Sequence, residues 1–324
     1  QETVMKPTAS HRATPKAPPL SDSFSASIID ELHRYDEHLR DVRGLAAGTR
    51  KDRLLIAGLV LQQKFKEQAV DISSLRPDDV RQFLAGQLDA HRTASNASRL
   101  AAALRSYFRY RATCGDQVGK LTAVILNPVH WKLASLPRAL KPDEIERLLN
   151  SFTTECRWPK RGYAIIRCAL DLGLRSCEIA NLKISDIDWR AGTVTLKGTK
   201  SLRQDILPLP METGQALADY LQNERPRSVS PSLFVLHRGN HDRPMTAGAV
   251  RGVIRWAYWR IGLTHTRSHA LRHAFACRLV ENGSSLKEVA DLLRHRSLNT
   301  TLIYAKLDTP RLAAVALPWP GSKS

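Results

Sequence analysis

The apolar residues follow different repeats in the two halves of the chain, and this limits the folds that it can adopt. In the first half, Ile28, Leu32, Tyr35 and Leu39 recur at steps of four, three and four, which is the spacing of one helix face. No alternating strand pattern occurs in residues 23–114. These residues are therefore predicted to form an all-helical domain.

The second half mixes helical and strand patterns. A helix is predicted to begin at Pro142, and another is predicted over residues 162–172. Three short β-prone runs follow, separated by turn residues, at 187–189, 193–197 and 204–209. Helices return after Pro210. We therefore expect residues 138–308 to form a mixed domain, so that the whole fold is mainly α with a small antiparallel β-sheet.

Three stretches lie outside the two predicted domains. Residues 1–22 are rich in Pro, Ser and Thr and are predicted to form a flexible tail without a secretory signal. Residues 115–137 contain several Gly and Pro residues and are predicted to link the two domains. Residues 309–324 are predicted to form a tail with a short helix, which begins at Thr309-Pro310 and carries Leu312, Val315 and Ala316. This tail is expected to dock either on its own protomer or in trans on a neighbouring one.

The charge balance indicates a polyanionic partner. The chain has 49 Lys and Arg against 31 Asp and Glu, a formal net charge of +18. Such an excess favours nucleic acid, although a ribosomal or peripheral membrane protein would show the same balance. Thr49 is predicted to cap a helix whose first turn is basic. Predicted helix faces supply the candidate DNA-binding residues, which are Arg50, Lys51, Arg53, Arg99, Arg105, Arg251 and Arg255.

Cysteine spacing and hydropathy indicate the cellular compartment in which the chain is expected to work. Five cysteines stand at irregular spacings without a CxxC pair, which argues against a disulfide framework and against a zinc cluster. No apolar run approaches the ~18 residues of a membrane span. A protein of the reducing cytoplasm without membrane association is expected.

Two segments of the second half place basic residues at turns. In the first, Arg175 follows the helix-stopping Gly173, and Glu178 stands three residues later. In the second, the turn between two predicted strands carries Lys197 and Lys200, which can reach a bound phosphate on flexible stems. A surface arginine beside a glutamate and a solvated turn lysine are both common, so neither segment is specific by itself.

A third segment begins a predicted helix with His269, Arg272 and His273, which share one face at i, i+3 and i+4. The opposite face is apolar and is predicted to be buried, with Leu271, Phe275 and Leu279. Histidine and arginine on an exposed face suit an anion. A zinc site is the alternative, but a third ligand at suitable spacing is lacking.

The fourth segment ends one predicted helix at His295 and places Tyr304 on the next, nine residues later. Ser285 and Glu288 form the capping-box pattern that starts the first of these helices. A tyrosine alone is more often a half-buried core residue than a nucleophile. Tyr304 becomes a candidate nucleophile only beside the other three segments.

In this order the segments resemble the tyrosine recombinases, the superfamily of Xer, Cre and λ integrase. The family pattern is a Gly-Leu-Arg-x-x-Glu turn, a hairpin Lys, His-x-x-Arg, a later His, and a Tyr nine residues beyond it. Its counterparts here are Arg175, Lys200, His269, Arg272, His295 and Tyr304. The resemblance covers residues 25–310, and the N-terminal part resembles the family's helical core-binding domain.

Two residues depart from the pattern. Arg294 precedes His295 where many members have Gly, so that turn is expected to differ in shape. Lys197 is a second hairpin lysine, and Lys200 is preferred because the run Lys-x-x-Arg-x-Asp-x-Leu-Pro resembles a family pattern.

The resemblance implies a site-specific DNA recombinase that works through a 3′-phosphotyrosyl intermediate. Arg175 and Arg272 would neutralise the phosphate that Tyr304 attacks. The resemblance assigns a further hydrogen bond to His295 and help in accepting the tyrosine proton to His269. Glu178 is expected to orient Arg175 or His269. Lys200 is expected to protonate the departing 5′-oxygen, because an alkoxide is a poor leaving group in water. No metal or other cofactor is expected, because the arginines take the role that metals have in many nucleases.

The implied partners are double-stranded DNA with an inverted-repeat core site, an accessory DNA-binding protein, and further copies of the chain as a dimer or a synaptic tetramer. A transposon or plasmid recombinase of the bacterial nucleoid is expected, acting in cointegrate or dimer resolution or in integration. A type IB topoisomerase-like enzyme and a DNA-binding regulator with a decayed active site are the alternatives.

Overall fold

The computed structural model describes most of the chain and divides into two compact units. The described residues are 24–90, 93–126, 139–197, 204–264, 266, 268–295, 297 and 300–307. The boundary between the units lies between Trp131 and Lys132. Each unit has its own hydrophobic core. Both predicted tails and Lys200 lie outside the described residues.

The first unit is helical throughout its described residues. Its α-helices are α1 (Ala26–Glu37), α2 (Ala47–Phe65), α3 (Pro77–Ala90), α4 (Ala94–Thr113) and α5 (Gly119–Ala123). A π-helical turn (His38–Val42) extends α1, and a 3-10 turn (Ile72–Ser74) precedes α3. Ile28, Leu32 and Tyr35 are fully buried and Leu39 is 1% exposed, which confirms the predicted apolar stripe.

A buried charged cluster joins α1 to α4 in addition to the apolar contacts. Glu31 on α1 is 1% exposed and accepts hydrogen bonds from Tyr107 Oη at 2.9 Å and from Arg111 Nη1 at 3.0 Å. Arg34 also donates to this carboxylate, at 3.0 Å. Removing one partner of a buried ion pair costs about 3–5 kcal/mol, so this cluster favours one register of α1 against α4.

Three sequence predictions for this unit were wrong in detail. Helix α2 begins at Ala47, so Thr49 lies inside the helix and does not cap it. Arg50 is buried, and its Nε lies 2.9 Å from Asp36, so an ion pair rather than a phosphate satisfies its charge. Part of the predicted linker folds as α5, because Leu121 is buried in the core of this unit.

The second unit is built around one central helix. Its helices are α6 (Pro142–Asn150), α7 (Pro159–Asp171), α8 (Ser176–Asn181), α9 (Met211–Asn223), α10 (Ala247–Arg260), α11 (His269–Glu281) and α12 (Leu286–Leu292), with 3-10 helices at Ile184–Asp186 and Leu302–Leu307. Helix α7 packs against α8, α9, α10 and α11. Nowhere in the described part of the chain is a helix both long and apolar enough to cross a membrane.

A three-stranded antiparallel sheet completes the second unit, with strands β1 (Ile187–Asp188), β2 (Thr193–Leu196) and β3 (Asp205–Pro208) in that order. Val194 in the middle strand pairs with Ile187 on one side and Leu207 on the other. Val194 and Leu196 are buried, so β2 turns alternate side chains into the core. The predicted fold class, mainly α with a small antiparallel sheet, is confirmed.

Candidate active site

The turn between α7 and α8 places the first arginine of the site. Gly173 has a φ of +59°, in the left-handed region that favours glycine. A Cβ added there would lie 2.6 Å from the ring of Phe275 and 3.1 Å from Leu293. The turn therefore packs directly against α11 and the end of α12, and Arg175 emerges at this junction as the residue before α8.

Glu178 orients Arg175 from one turn away. Arg175 Nη1 donates to Glu178 Oε1 at 2.6 Å, and the Arg175 backbone N–H donates to Oε2 at 2.8 Å. Arg175 Nη2 lies 3.5 Å from the carbonyl oxygens of Leu293 and Arg294. The Arg175 side chain is 31% exposed. Its guanidinium is therefore fixed in direction while part of its surface stays open to a substrate.

Arg272 on α11 is the second arginine of the site, and it is buried. Its Nη1 donates to the carbonyl of Gly173 at 2.5 Å, and its Nη2 donates to the carbonyl of Leu293. Burial, and then the nearby Arg175 and Arg294, lower the pKa of Arg272 to about 9, so it stays protonated at neutral pH. The prediction that it lies on an exposed helix face was wrong, because the α7–α8 turn and the end of α12 both contact its guanidinium.

Three guanidinium groups share the single carboxylate of Glu178. Arg294 Nη2 lies 2.9 Å from Glu178 Oε2, and Arg272 Nη1 lies 3.9 Å from the same atom. Arg175 is the third partner. Burial alone would raise the pKa of Glu178, but Arg294 and Arg175 outweigh it and hold this pKa below its ordinary range. Positive charge therefore exceeds negative charge here, which suits an anionic substrate.

His295 follows the end of α12 and is half-buried. Its Nδ1 lies 2.7 Å from Thr301 Oγ1, and Thr301 is fully buried. Burial, followed by the charges of Arg272 and Arg175, lowers the pKa of His295 to about 4. His295 is therefore neutral at neutral pH. Because Nδ1 is engaged with Thr301, Nε2 is the ring nitrogen left for a substrate.

Tyr304 lies on the 3-10 helix Leu302–Leu307 and is 2% exposed. Its ring packs in a cluster with buried residues of α11 and the end of α12, including Cys277 and Leu293. Its hydroxyl lies 2.7 Å from His273 Nδ1. Burial raises the pKa of Tyr304 to about 12, although Arg272 acts in the opposite direction.

The contact between Tyr304 and His273 is the part of the site that sequence reasoning missed. The sequence placed His273 on one helix face with His269 and Arg272 but assigned it no role. His269 is the first residue of α11, and its side chain is exposed. The signal available in the sequence was the position of His273 directly after Arg272, which leaves it beside the arginine on the same helix.

Of the two candidate hairpin lysines, the structure describes Lys197 alone. Lys197 Nζ lies 3.1 Å from Asp186 Oδ1, and Asp186 is 5% exposed. This ion pair gives Lys197 a structural partner at the end of β2. Lys200 lies outside the described residues, so its assignment remains a prediction.

The candidate DNA-binding residues differ in exposure. Lys51, Arg99, Arg251 and Arg255 are exposed, whereas Arg50 is buried. Arg53 Nη1 donates to Ser106 Oγ at 2.6 Å, and Arg105 donates to the carbonyl of Ile125. Arg99 pairs with Asp52. Lys51, Arg251 and Arg255 are therefore the best placed of this set for contacts with an external polyanion.

Known proteins resemble the chain along most of its length. A family model described as the phage integrase family matches residues 138–311. The protein y4rA of Sinorhizobium fredii, provisionally named an integrase/recombinase, is 32% identical over 93% of this chain and 73% of its own length. Tyrosine recombinase XerD of Yersinia pestis is 32% identical over 75% of this chain and 81% of its own length.

Solved structures share the fold. A λ integrase dimer bound to a core site has a TM-score of 0.66, with 18% identity over 84% of this chain and 96% of that one. The Tn1549 transposon integrase in complex with transposon right end DNA has a TM-score of 0.63, with 19% identity over 87% of this chain and 99% of that one. The chain therefore belongs to the phage integrase family of tyrosine recombinases, enzymes that cleave and rejoin DNA strands.

Proposed function

We propose that this recombinase cleaves DNA at specific sites through a 3′-phosphotyrosyl intermediate, with Tyr304 as the nucleophile. The observation that carries the proposal is that Arg175, Arg272 and Tyr304 all contact the end of α12. The Leu293 carbonyl accepts from Arg272 and faces Arg175, and the Leu293 side chain packs with Tyr304. His295 follows two residues later.

The charges at this point suit phosphoryl transfer. Attack on a phosphodiester builds extra negative charge on the non-bridging oxygens, and fixed guanidinium groups stabilise that charge. Arg175 and Arg272 supply the two planar donors, and Glu178 keeps the first of them in place. His295 donates a further hydrogen bond through Nε2. The phosphotyrosyl link keeps the energy of the broken bond, so rejoining requires no ATP.

The departing 5′-oxygen needs a proton, because an alkoxide is a poor leaving group in water. We assign this proton to Lys200, in the segment of the sequence between β2 and β3. Support comes from the second lysine of this segment, since Lys197 is already paired with the buried Asp186. His269, at the exposed start of α11, is assigned to the substrate side of the site.

Double-stranded DNA and further copies of this chain are the proposed partners. Lys51, Arg251 and Arg255 are exposed and basic, and both units carry such residues. Support for self-association comes from the λ integrase structures, described as a dimer on a core site and a tetramer on a Holliday junction. A role in a transposon or plasmid is supported by the fold shared with the Tn1549 integrase.

The test is a search for a covalent adduct on nicked DNA. The full chain is incubated with a pool of nicked plasmid fragments, and protein that stays bound to DNA in detergent is recovered and its junctions are sequenced. Wild type should form an adduct at one recurrent inverted repeat, and Tyr304→Phe should form none while still binding DNA. Tyr163→Phe and Tyr258→Phe are the matched controls and should both react.

Three outcomes would contradict the proposal. Binding without any adduct would indicate a DNA-binding regulator. Adducts at scattered positions, together with relaxation of any supercoiled plasmid, would indicate a topoisomerase-like enzyme. An adduct that survives Tyr304→Phe would place the nucleophile elsewhere.

A further inference from the structure

We propose that His273 is a further catalytic residue, which takes the proton from the Tyr304 hydroxyl as that oxygen attacks and returns it when the strand is rejoined. The proposal rests on Tyr304 being the nucleophile. It assigns proton transfer to a residue that the family resemblance left without a role, while His269 had been expected to do this work.

The geometry is that of a direct proton transfer. Tyr304 Oη and His273 Nδ1 are 2.7 Å apart, within the range in which a general base acts without an intervening water. The ring centroids lie 5.7 Å apart with an interplanar angle of 56°. The contact is between α11 and the 3-10 helix Leu302–Leu307, which pack against each other. Each residue of the pair is thus positioned by an element that packs against the element carrying the other.

The protonation state suits a base. His273 is half-buried, and burial, followed by the charges of His269 and Arg272, lowers its pKa. His295 also lies near enough for the charge of His273 to lower its pKa, and an imidazole cannot supply the negative charge that would raise the pKa of His273. His273 is therefore neutral at neutral pH. We assign its proton to Nε2, so that Nδ1 accepts the hydrogen bond that the tyrosine hydroxyl donates.

The other described groups near Tyr304 are less suited to accept its proton. Arg272 lowers the pKa of Tyr304 and so stabilises the phenolate, but a guanidinium has no lone pair to accept with. His295 has its Nδ1 engaged with Thr301, and its Nε2 is assigned to the hydrogen bond with the phosphate. Burial raises the pKa of Tyr304 to about 12, so hardly any phenolate exists at neutral pH before the attack. A base in contact with the hydroxyl can take the proton during the attack, so that no phenolate needs to form beforehand.

The step balances in protons and electrons. The Tyr304 O–H bond breaks, its electron pair attacks phosphorus, and a new N–H bond forms at His273 Nδ1. The P–O bond to the 5′-oxygen breaks, and the proposed acid Lys200 protonates that oxygen. Rejoining runs the same steps backwards, with the imidazolium of His273 returning its proton to Tyr304.

The experiment measures single-turnover adduct formation on the nicked DNA fragment that wild type attacks. His273→Gln should slow adduct formation about 10²–10⁴-fold, which is the typical contribution of a general base to the rate. The wild-type rate should be flat above the pKa of His273, whereas the His273→Gln rate should keep rising, by about tenfold per pH unit. Fluorotyrosine at position 304, which has a more acidic hydroxyl, should accelerate His273→Gln far more than wild type.

His237 provides a matched control, because it forms a second His–Tyr pair in the same unit, with Nε2 3.4 Å from Tyr220 Oη. His237→Gln should leave the rate and its pH profile unchanged. A His273→Gln enzyme with the wild-type pH profile and no gain from fluorotyrosine would overturn the proposal, and such a residue would only hold the tyrosine in place.

A measurement on the wild type tests the proposal even if the His273 variant does not fold. Nitrogen-15 chemical shifts of histidine in the wild type should show Nδ1 of His273 unprotonated and Nε2 protonated. The reverse tautomer, or a doubly protonated ring at neutral pH, would overturn the proposal. Loss of the adduct in wild type, or its persistence in Tyr304→Phe, would instead overturn the proposed function, so the two failures are distinguishable.

Discussion

At the scale of the residue, Arg294 has a backbone conformation that most residues avoid. Its φ is +53°, and left-handed backbone costs an L-residue about 1–2 kcal/mol. Its side chain is 3% exposed, and its Nη2 donates to Glu178 at 2.9 Å. The strain is therefore offset by a buried charge contact that a glycine at this position could not make.

Removing that charge should change how stability depends on pH. Arg294 is the leading cause of the lowered pKa of Glu178, so Arg294→Met should raise this pKa. Glu178 adds stability above the unfolded pKa of glutamate, and this stability is lost as pH falls through the folded pKa. Glu178 adds less stability in the variant, so the variant should lose less stability in acid than wild type. The difference in the free energy of unfolding between the two proteins should therefore shrink below about pH 4.5.

Urea unfolding at pH 6 and at pH 3.5 measures this gap. Lys287→Met removes an exposed cation on α12 and is the control, with a gap that stays constant. A gap for Arg294→Met that widens in acid would show that Arg294 does not set the pKa of Glu178.

The assignment of the leaving-group acid is testable with a substrate that needs no acid. A 5′-phosphorothiolate leaves without a proton, so it should bypass Lys200. Lys200→Ala should cleave ordinary DNA about 10²–10⁴-fold more slowly and cleave the sulfur substrate almost as fast as wild type. Lys197→Ala should lose little with either, since Lys197 is paired with Asp186. If only Lys197→Ala shows the rescue, the two assignments must be exchanged.

At the scale of the element, the turn from α7 to α8 should tolerate no side chain at Gly173. Ala at this position would need the left-handed backbone and would also collide with Phe275 and Leu293. We expect Gly173→Ala to destabilise the protein by about 2–4 kcal/mol, from backbone strain and overpacking together. Adduct formation should fall as well, because Arg175 would move.

A substitution at Gly192 separates the cost of backbone strain from the cost of overpacking. Its φ is +62°, but no atom lies within 4 Å of an added Cβ. Gly192→Ala should therefore cost only about 1–2 kcal/mol and leave adduct formation intact. Thermal unfolding of both variants gives the comparison. Equal destabilisation by the two substitutions would argue against the close packing of the α7–α8 turn.

Helix α11 shows how far periodicity can predict an element. The apolar face of Leu271 and its neighbours follows from spacing alone, and Leu271 is fully buried. The polar face was predicted to be exposed, but Arg272 on it is buried against the carbonyls of Gly173 and Leu293. A sequence pattern reports which residues avoid water by themselves. It cannot report a buried guanidinium whose partners are backbone carbonyls of distant segments, or the meeting of His273 with Tyr304.

At the scale of the whole molecule, excess charge should control DNA affinity. Each phosphate neutralised contributes about −0.9 to the slope of log K against log salt concentration. A net charge of +18 and exposed basic residues in both units predict a steep negative slope. Lys51→Ala and Arg251→Ala, one in each unit, should each reduce the slope by about one.

Arg81→Ala is the control for this measurement, since Arg81 is already paired with Asp78 at 2.5 Å. Fluorescence anisotropy with labelled duplex DNA over a range of salt concentrations gives the slopes. A nearly flat plot for wild type would show that phosphate contacts contribute little to binding.

The backbone carbonyls that anchor Arg272 have a consequence for how this sequence can diverge. Gly173 and Leu293 hold the guanidinium through main-chain oxygens, and every residue type carries such an oxygen. A substitution at position 293 that preserves the course of the chain would thus leave the acceptor in place. The acceptors of Arg272 therefore depend on the positions of the helix ends and not on the identity of the side chain at position 293, which is compatible with relatives that are only 32% identical.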